Sequence, residues 1–243
     1  MKVVILICIL LSSNLLAQYS NFDNKTKIDE NYSFVESKGK YGIINSSNSI
    51  IVPINYNQIG FCESLNAVKK YVRVNQNNKW GIFDLETSKL IIPIRYVEVD
   101  CFNNDIARVK INGKYGYVNT KGKTTVPYIY DWADTTFFNE GIARVKSDNK
   151  YGAINGNNKI IIPIVYDWIG TYFSEGLILV EKNHKFGFID EKGKIILTIK
   201  YDEVIKTFSQ GIASVKINNK QIYIDKKGNE YTTYDEAMEK ISK

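Results

Sequence analysis

Few side chains in this sequence have the chemistry that catalysis usually needs. The chain has 243 residues with a single histidine and three cysteines. His184 lies between lysines in the predicted turn 182–185, which favours a solvated side chain over a general base. Asp131 and Glu140 form an acid pair of the type that a glycosidase uses, although acids in repeated turns more often bond to water or backbone. The sequence has no nucleophile elbow, phosphate loop or dinucleotide fingerprint. We therefore predict no enzyme activity, no cofactor and no metal site.

Three of the four arginines occupy equivalent positions, six residues before the lysine of a Lys-aromatic-Gly triplet: Arg73, Arg108 and Arg144. If the segments stack, these arginines form a ladder. Such a ladder suits anionic groups such as phosphate or uronate, because the guanidinium fork binds them with two parallel hydrogen bonds. The alternative is that the arginines pair with neighbouring acids, for which Asp131 and Asp167 share one equivalent position.

Two tryptophans also share a position, Trp132 in Tyr-Asp-Trp at 130–132 and Trp168 in the same triplet at 166–168. Repeated tryptophans in loops can form a flat platform on which sugar rings stack. They can equally pack between adjacent segments, because buried aromatic rings contribute a large apolar area. The platform hypothesis requires both rings to be partly exposed on one face.

Two cysteines, Cys62 and Cys101, each stand next to a phenylalanine at the start of an equivalent loop. In an exported chain they meet an oxidising compartment, where a disulfide between consecutive segments can form. The alternative is two unpaired, partly buried thiols. Neither possibility indicates a catalytic cysteine.

The elements that must position these residues are internal repeats. The triplet Lys-aromatic-Gly recurs at 40–42, 79–81, 114–116, 150–152 and 185–187, and a sixth copy at 220–222 reads Lys-Gln-Ile. The glycines are 35 to 39 residues apart, and a regular period of this length indicates a repeat architecture. All four prolines stand three residues before a tyrosine, and Thr198 replaces the proline in the fifth copy.

Each repeat is predicted to contain three short strands and no helix. In the third copy, residues 106–111 alternate between apolar and polar, as in a half-buried strand. Asn112-Gly113 is a strong hairpin signal and leads to a returning strand at 114–119. A second turn at 120–123 precedes a third strand at 124–130.

This pattern predicts an all-β tandem-repeat array of six three-stranded units. We expect a linker at residues 18–31, the six repeats at 32–233 and a tail at 234–243 that forms a short helix. An open β-hairpin solenoid is favoured, because the sixth, atypical copy suits a terminal cap. A six-bladed propeller-like closure is the alternative, although repeats of 35 residues are short for it.

Several recurring motifs resemble those of the WG-repeat family of bacterial proteins. They are the Lys-Trp/Tyr-Gly core, the Asp/Asn-x-x-Gly turn, the Ile-Pro-x-x-Tyr-Asp segment and the Phe-Ser-Glu-Gly lead-in. The resemblance covers residues 32–233, although only the copy at Trp80-Gly81 has the tryptophan that gives the family its name. It implies a β-rich repeat array found in many secreted or multidomain proteins, and it implies no defined activity.

The N-terminus has the features of a secretory signal peptide. Lys2 precedes the apolar run 3–11, and Ala17 provides a small residue for cleavage. The run is too short to span a membrane. A formal net charge of +6 over the chain does not indicate nucleic-acid binding. We therefore expect export to the periplasm, cell surface or medium.

The sequence as a whole predicts a non-catalytic exported repeat protein that acts as a protein–protein interaction or scaffold module. The alternative is a glycan- or cell-wall-binding module that uses the tryptophan and arginine face. The ligand, the partner and the oligomeric state are left open.

Overall fold

The strands of this protein form six four-stranded antiparallel sheets that follow one another along the chain. The computed structural model describes residues 22–62, 70–137 and 141–242. The predicted signal peptide, residues 1–17, and Glu140 lie outside these ranges. No helix in the described part of the chain is both long and apolar enough to cross a membrane.

The strands of the first three sheets are β1 (Asn24–Lys27), β2 (Tyr32–Ser37), β3 (Lys40–Asn45), β4 (Ile50–Tyr56), β5 (Gln58–Phe61), β6 (Tyr71–Gln76), β7 (Lys79–Asp84), β8 (Lys89–Tyr96), β9 (Glu98–Val99), β10 (Ile106–Ile111), β11 (Lys114–Asn119) and β12 (Thr124–Tyr130).

The remaining elements are β13 (Trp132–Ala133), β14 (Ile142–Ser147), β15 (Lys150–Asn155), β16 (Ile160–Tyr166), β17 (Trp168–Ile169), β18 (Leu177–Lys182), β19 (Lys185–Asp190), β20 (Ile195–Tyr201), β21 (Glu203–Ser209), β22 (Ile212–Ile217), β23 (Lys220–Asp225), β24 (Glu230–Tyr231) and helix α1 (Tyr234–Ile241).

The chain divides into two compact units. The first contains the first two sheets, and the second contains β10 to β12 and the last three sheets. In each unit the apolar core lies between consecutive sheets. The first unit buries residues such as Ile43, Val52, Val74 and Phe83 in one cluster. In the second unit, separate clusters join the third sheet to the fourth, the fourth to the fifth and the fifth to the sixth.

The central hairpin of every sheet has a two-residue turn with positive φ at both residues. In the third sheet these are Asn112 and Gly113, and in the fourth Asp148 and Asn149. Such turns match the right-handed twist of the flanking strands, and asparagine and glycine tolerate the positive φ best. The predicted bounds of β10, β11 and β12 are confirmed.

The motif glycine of the third strand lies in close contact with the backbone of the fourth strand of the same sheet. A Cβ on Gly152 would lie 2.6 Å from Cγ1 of Ile164 and 2.7 Å from the carbonyl oxygen of Ile162. The pairing of β15 with β16 shifts register across Gly152, between Tyr151 and Ala153, and again between Ala153 and Ile154. The exposed Pro163 stands in this irregular stretch of the outermost strand. Proline has no backbone N–H, and at this position the sheet needs no hydrogen bond from it.

The prediction of three strands per repeat was wrong. Each sheet has a further first strand, which has only two residues in the third, fourth and fifth sheets; an example is β13, whose Trp132 and Ala133 pair with β14. Two residues are too few to show a period-2 pattern. Residues 24–27, expected to be linker, form β1 and pair with β2.

The sixth sheet ends differently from the others. Ile222 stands where the other copies have glycine, and the last strand β24 has only two residues. The chain continues into α1, whose Thr233 caps the N-terminus by accepting from the backbone N–H of Glu236. Ala237 of α1 is fully buried. The expected C-terminal helix is therefore present.

Candidate functional site

His184 lies at a hairpin tip, as the sequence indicated. It has positive φ, and its side chain is 99% exposed with Nδ1 3.7 Å from a carboxylate oxygen of Glu181. Within the described residues there is no group of three or more histidine, cysteine or acidic side chains that could hold a metal ion.

The aspartate that follows the recurring tyrosine at the end of the fourth strand links two hairpins. Asp131 forms an ion pair with Lys114 of its own repeat, and its other oxygen accepts from the backbone N–H of Asp148, 3.0 Å away, in the next hairpin turn. The hydrogen bond from Lys114, followed by that backbone bond, holds the pKa of Asp131 below its ordinary value. We call this arrangement the Lys–Asp clasp.

The Lys–Asp clasp recurs twice in the second unit. Asp167 pairs with Lys150 and Asp202 with Lys185, and each also accepts a backbone N–H from the following turn. The pKa of both carboxyls is lowered, first by the lysine and then by that backbone bond. The idea that Asp131 and Asp167 pair with the arginines was therefore wrong, because lysines occupy them.

The three equivalent arginines donate to backbone carbonyls of the short strands that follow their sheets. Each guanidinium Nη1 reaches a carbonyl oxygen 25 or 26 residues further along the chain: Arg73 that of Val99 at 3.4 Å, Arg108 that of Ala133 at 2.7 Å and Arg144 that of Ile169 at 3.1 Å. The guanidinium groups also lie over aromatic rings: Arg73 over Trp80, Arg108 over Tyr115 and Arg144 over Trp132.

Arg144 has the most complete set of partners. Its Nε and Nη2 donate to the two oxygens of Asp134, each at 2.9 Å, and its Nη1 also reaches the hydroxyl of Thr171 at 3.1 Å. The side chains of Arg144 and Asp134 are 15% and 7% exposed. This arginine is therefore bound within the fold, and its fork has little capacity left for an external anion.

The two candidate tryptophans have different surroundings. Trp132 is half-buried, with Arg144 over its ring and the edge of Tyr151 at a centroid distance of 5.8 Å. Trp168 is 39% exposed, and no ring or cation of the described residues lies against it. A matched pair of open rings is not formed. Trp132 packs within the fold, and Trp168 alone presents an accessible indole.

Cys62 and Cys101, for which the sequence left two possibilities open, are joined by a disulfide in the first unit. The bond connects the end of β5 to the segment after β9, a sequence separation of 39 residues. It closes the part of the chain that contains Arg73 and Trp80.

A surface that the sequence interpretation missed lies on the outermost strands. In the second unit, β12, β16 and β20 expose large aliphatic side chains: Ile129 50%, Ile160 54%, Val165 40% and Ile195 51%. We call this set the aliphatic edge. The signal for it is the uninterrupted apolar run Ile160-Ile161-Ile162-Pro163-Ile164-Val165. A strand that contains proline belongs at the edge of a sheet. Because an edge strand is not covered on all sides, an uninterrupted apolar run there leaves some side chains exposed to solvent.

The comparison with protein families decides which repeat this is. The model of the WG containing repeat matches five consecutive segments, at residues 41–80, 80–115, 115–151, 151–186 and 186–220. This protein belongs to the WG-repeat family. The family assignment expected from the motifs is thus confirmed, and it brings no activity with it. The comparison with curated protein sequences found no match.

Solved structures resemble this WG-repeat protein only weakly. A crystal structure of a eukaryotic initiation factor is 9% identical, with 86% of this chain and 64% of that chain covered and a TM-score of 0.40. KlHsv2 with loop 6CD replaced by a Gly-Ser linker is 7% identical (84% and 78% covered, TM-score 0.38). PorZ of Porphyromonas gingivalis is 8% identical (88% and 32% covered, TM-score 0.32). Likenesses at these TM-scores carry no argument about function.

The WG-repeat protein has a crevice beside its aliphatic edge. Ile160 and Ile161 of β16 form one wall, and Glu191 and Lys192, from the turn between β19 and β20, form the other. The crevice has a volume of about 540 Å³. Aliphatic side chains thus stand next to charges of both signs, which is the composition of a protein-binding surface with a polar rim.

Proposed function

We propose that this protein is an exported, non-catalytic scaffold that binds another protein through the aliphatic edge. The observation that carries the proposal is the exposure of Ile129, Ile160, Val165 and Ile195 at recurring positions of three outermost strands. Exposed aliphatic side chains that recur in register are unlike the scattered single residues of an ordinary surface.

The packing of the arginines and tryptophans supports this choice. The features that first suggested a ligand site, Arg144 and Trp132, are occupied by partners within the fold. The side chains of the aliphatic edge, by contrast, are exposed to solvent. A partner that buries them gains about 25 cal/mol for each Å² of apolar surface removed from water.

The test is a capture experiment with matched variants. Ile160→Lys/Val165→Lys places two charges on the edge, whereas the control Thr198→Lys places one at an exposed, already polar position of β20. We expect crosslinking in cells to recover a protein with the wild type and with Thr198→Lys, and not with the double variant. Equal recovery with all three folded proteins would contradict the proposal.

Glycan or cell-wall binding is the second candidate, favoured by the exposed indole of Trp168. A solvent-exposed indole is a platform for a sugar ring, and Trp168 is 39% exposed whereas the ring of Trp132 lies under Arg144. Titration of tryptophan fluorescence with peptidoglycan fragments and polysaccharides tests this candidate. We expect a saturable change that is lost in Trp168→Ala and kept in Trp132→Ala, and a flat response from folded wild-type protein would reject it.

Export and an open array are parts of the proposal. Export rests on the signal-like residues 1–17 and agrees with the disulfide, because disulfides persist in oxidising compartments. Cell fractionation with N-terminal sequencing of the mature chain tests it. The open β-hairpin solenoid, rather than a six-bladed propeller, rests on the atypical sixth sheet and its helix α1. Small-angle X-ray scattering distinguishes an elongated particle from a closed ring.

A further inference from the structure

A second surface lies at the C-terminal end of the second unit. Two earlier sheets of this unit show how one face of a repeat is covered. Arg108 of the third sheet donates to the carbonyl of Ala133 in β13, and Arg144 of the fourth donates to that of Ile169 in β17. The short first strand of the following sheet therefore lies over the arginine-bearing face. Ala133 and Ile169 are buried there.

Within the second unit, helix α1 rather than a further strand follows the sixth sheet. At the two positions that form this face, Ser214 replaces the arginine and Gln221 replaces the motif aromatic residue. Helix α1 packs against β22, β23 and β24. Beside the helix a groove of about 360 Å³ stays open, lined by residues that include Ile205, Ile212 and Tyr234. We call it the terminal groove.

The terminal groove is apolar with a few convergent polar groups. Ile205 is 45% exposed, and the rings of Tyr223 and Tyr234 meet edge to face at 5.9 Å. In its lining the amide nitrogen of Gln221 donates to the hydroxyls of Ser214 at 3.0 Å and Tyr223 at 3.4 Å. A primary amide next to a hydroxyl offers both donors and acceptors, which suits the peptide groups of an extended chain.

We propose that the terminal groove binds an extended segment of a different protein, which places an aliphatic side chain against the apolar lining of the groove at Ile205. Main-chain groups of the segment bond to Gln221, and the side chain supplies specificity, as in other recognition of extended peptides. This goes beyond the proposed function, because the aliphatic edge has no part in it.

The occupant differs from a second copy of this chain. In the covering strands the residue that pairs with the second-strand valine is apolar: Ala133 pairs with Val145 and Ile169 with Val180. In the first strand of the chain, β1, the equivalent residue is Lys25, which pairs with Val35. A second copy would therefore bring an ammonium group into an apolar groove whose charged lining residue, Lys206, is also a lysine.

The experiment uses the purified full chain and a capped synthetic peptide with the sequence of residues 166–173, Tyr-Asp-Trp-Ile-Gly-Thr-Tyr-Phe, which includes β17. Isothermal titration calorimetry measures its binding to the wild type, to Ile205→Asp and to Ile195→Asp. The last two place the same charge at similarly exposed isoleucines, one in the groove and one on the aliphatic edge. A second peptide carries Ile169→Lys.

We expect saturable binding to the wild type and to Ile195→Asp, weakened at least about ten-fold by Ile205→Asp or by the lysine peptide. No binding to the folded wild type would overturn the proposal, as would equal binding by the lysine peptide or by Ile205→Asp. Sedimentation of the unliganded chain completes the test: a dimer that Ile205→Asp dissociates would make the occupant a second copy. The capture experiment on the aliphatic edge is independent of every one of these outcomes.

Discussion

At the scale of single residues, Gly152 shows why the repeat carries its glycine. A methyl group there would lie within 3 Å of the backbone and side chain of Ile164 and of the carbonyl of Ile162. Because backbone atoms cannot rotate away, we expect Gly152→Ala to lower the free energy of unfolding by about 3 kcal/mol. Urea denaturation measures it. Gly156→Ala is the control, since its Cβ would meet only Cδ1 of Ile106 at an ordinary 3.4 Å. A similar loss in both variants would show that crowding is not the cause.

Arg144 and Asp134 give a second prediction at this scale. Both side chains are largely buried and joined by two hydrogen bonds, so Arg144→Ala leaves a carboxylate without its guanidinium. We expect a loss of about 3 kcal/mol in unfolding free energy, because removing one partner of a buried pair leaves an uncompensated charge. In a double-mutant cycle, Asp134→Ala made in the Arg144→Ala background should cost less than it does in the wild type. Strict additivity would exclude the coupling.

At the scale of elements, the Lys–Asp clasps join successive hairpins and make the second unit sensitive to acid. The pKa values of Asp131, Asp167 and Asp202 are lowered from the ordinary value of 3.8. A carboxyl whose pKa is depressed by folding binds fewer protons in the folded state than in the unfolded state. Its contribution is therefore complete above pH 3.8 and is lost as the pH falls through the lowered pKa.

The first repeat shows which substitution tests the Lys–Asp clasps. In the first repeat Asn57 occupies the aspartate position and still accepts from the backbone N–H of Asn77 at 3.1 Å. We therefore expect the triple variant Asp131→Asn/Asp167→Asn/Asp202→Asn to fold, and to lose less unfolding free energy than the wild type between pH 5 and pH 3. Thermal denaturation across that range measures the difference. If the stability of both proteins falls in parallel with pH, the clasps do not cause the acid sensitivity.

At the scale of the whole molecule, the disulfide is the covalent link between distant parts of the chain. Closing a loop of 39 residues lowers the entropy of the unfolded chain and stabilises the fold by about 4 kcal/mol in the loop-entropy estimate. We expect Cys62→Ser/Cys101→Ser to lose up to that amount in urea unfolding. A reducing agent should bring the wild type to the same midpoint and leave the variant unchanged. An effect of the reductant on the variant would point to another cause.

Local patterns were enough to predict the last three strands of each four-stranded sheet. The bounds of β10, β11 and β12 followed from alternation and turn residues, because both are properties of neighbouring residues along the chain. The short first strand escaped detection because two residues carry no periodic signal. Its existence depends on a packing partner, and β13 pairs with a β14 strand that begins nine residues later.

The pairing of the charged residues was likewise only partly predictable from the sequence. The sequence by itself determined that Arg144, Trp132 and Asp131 recur at fixed positions in a WG-type repeat, and that a two-residue turn joins β10 to β11. It did not determine that lysine takes Asp131 while Arg144 takes Asp134 and a backbone carbonyl of the next sheet. Those choices, and the exposure of Ile160 and Trp168, were decided by the tertiary structure. Spacing along the chain assigns a residue to a face, whereas the distance between two faces depends on how consecutive sheets pack.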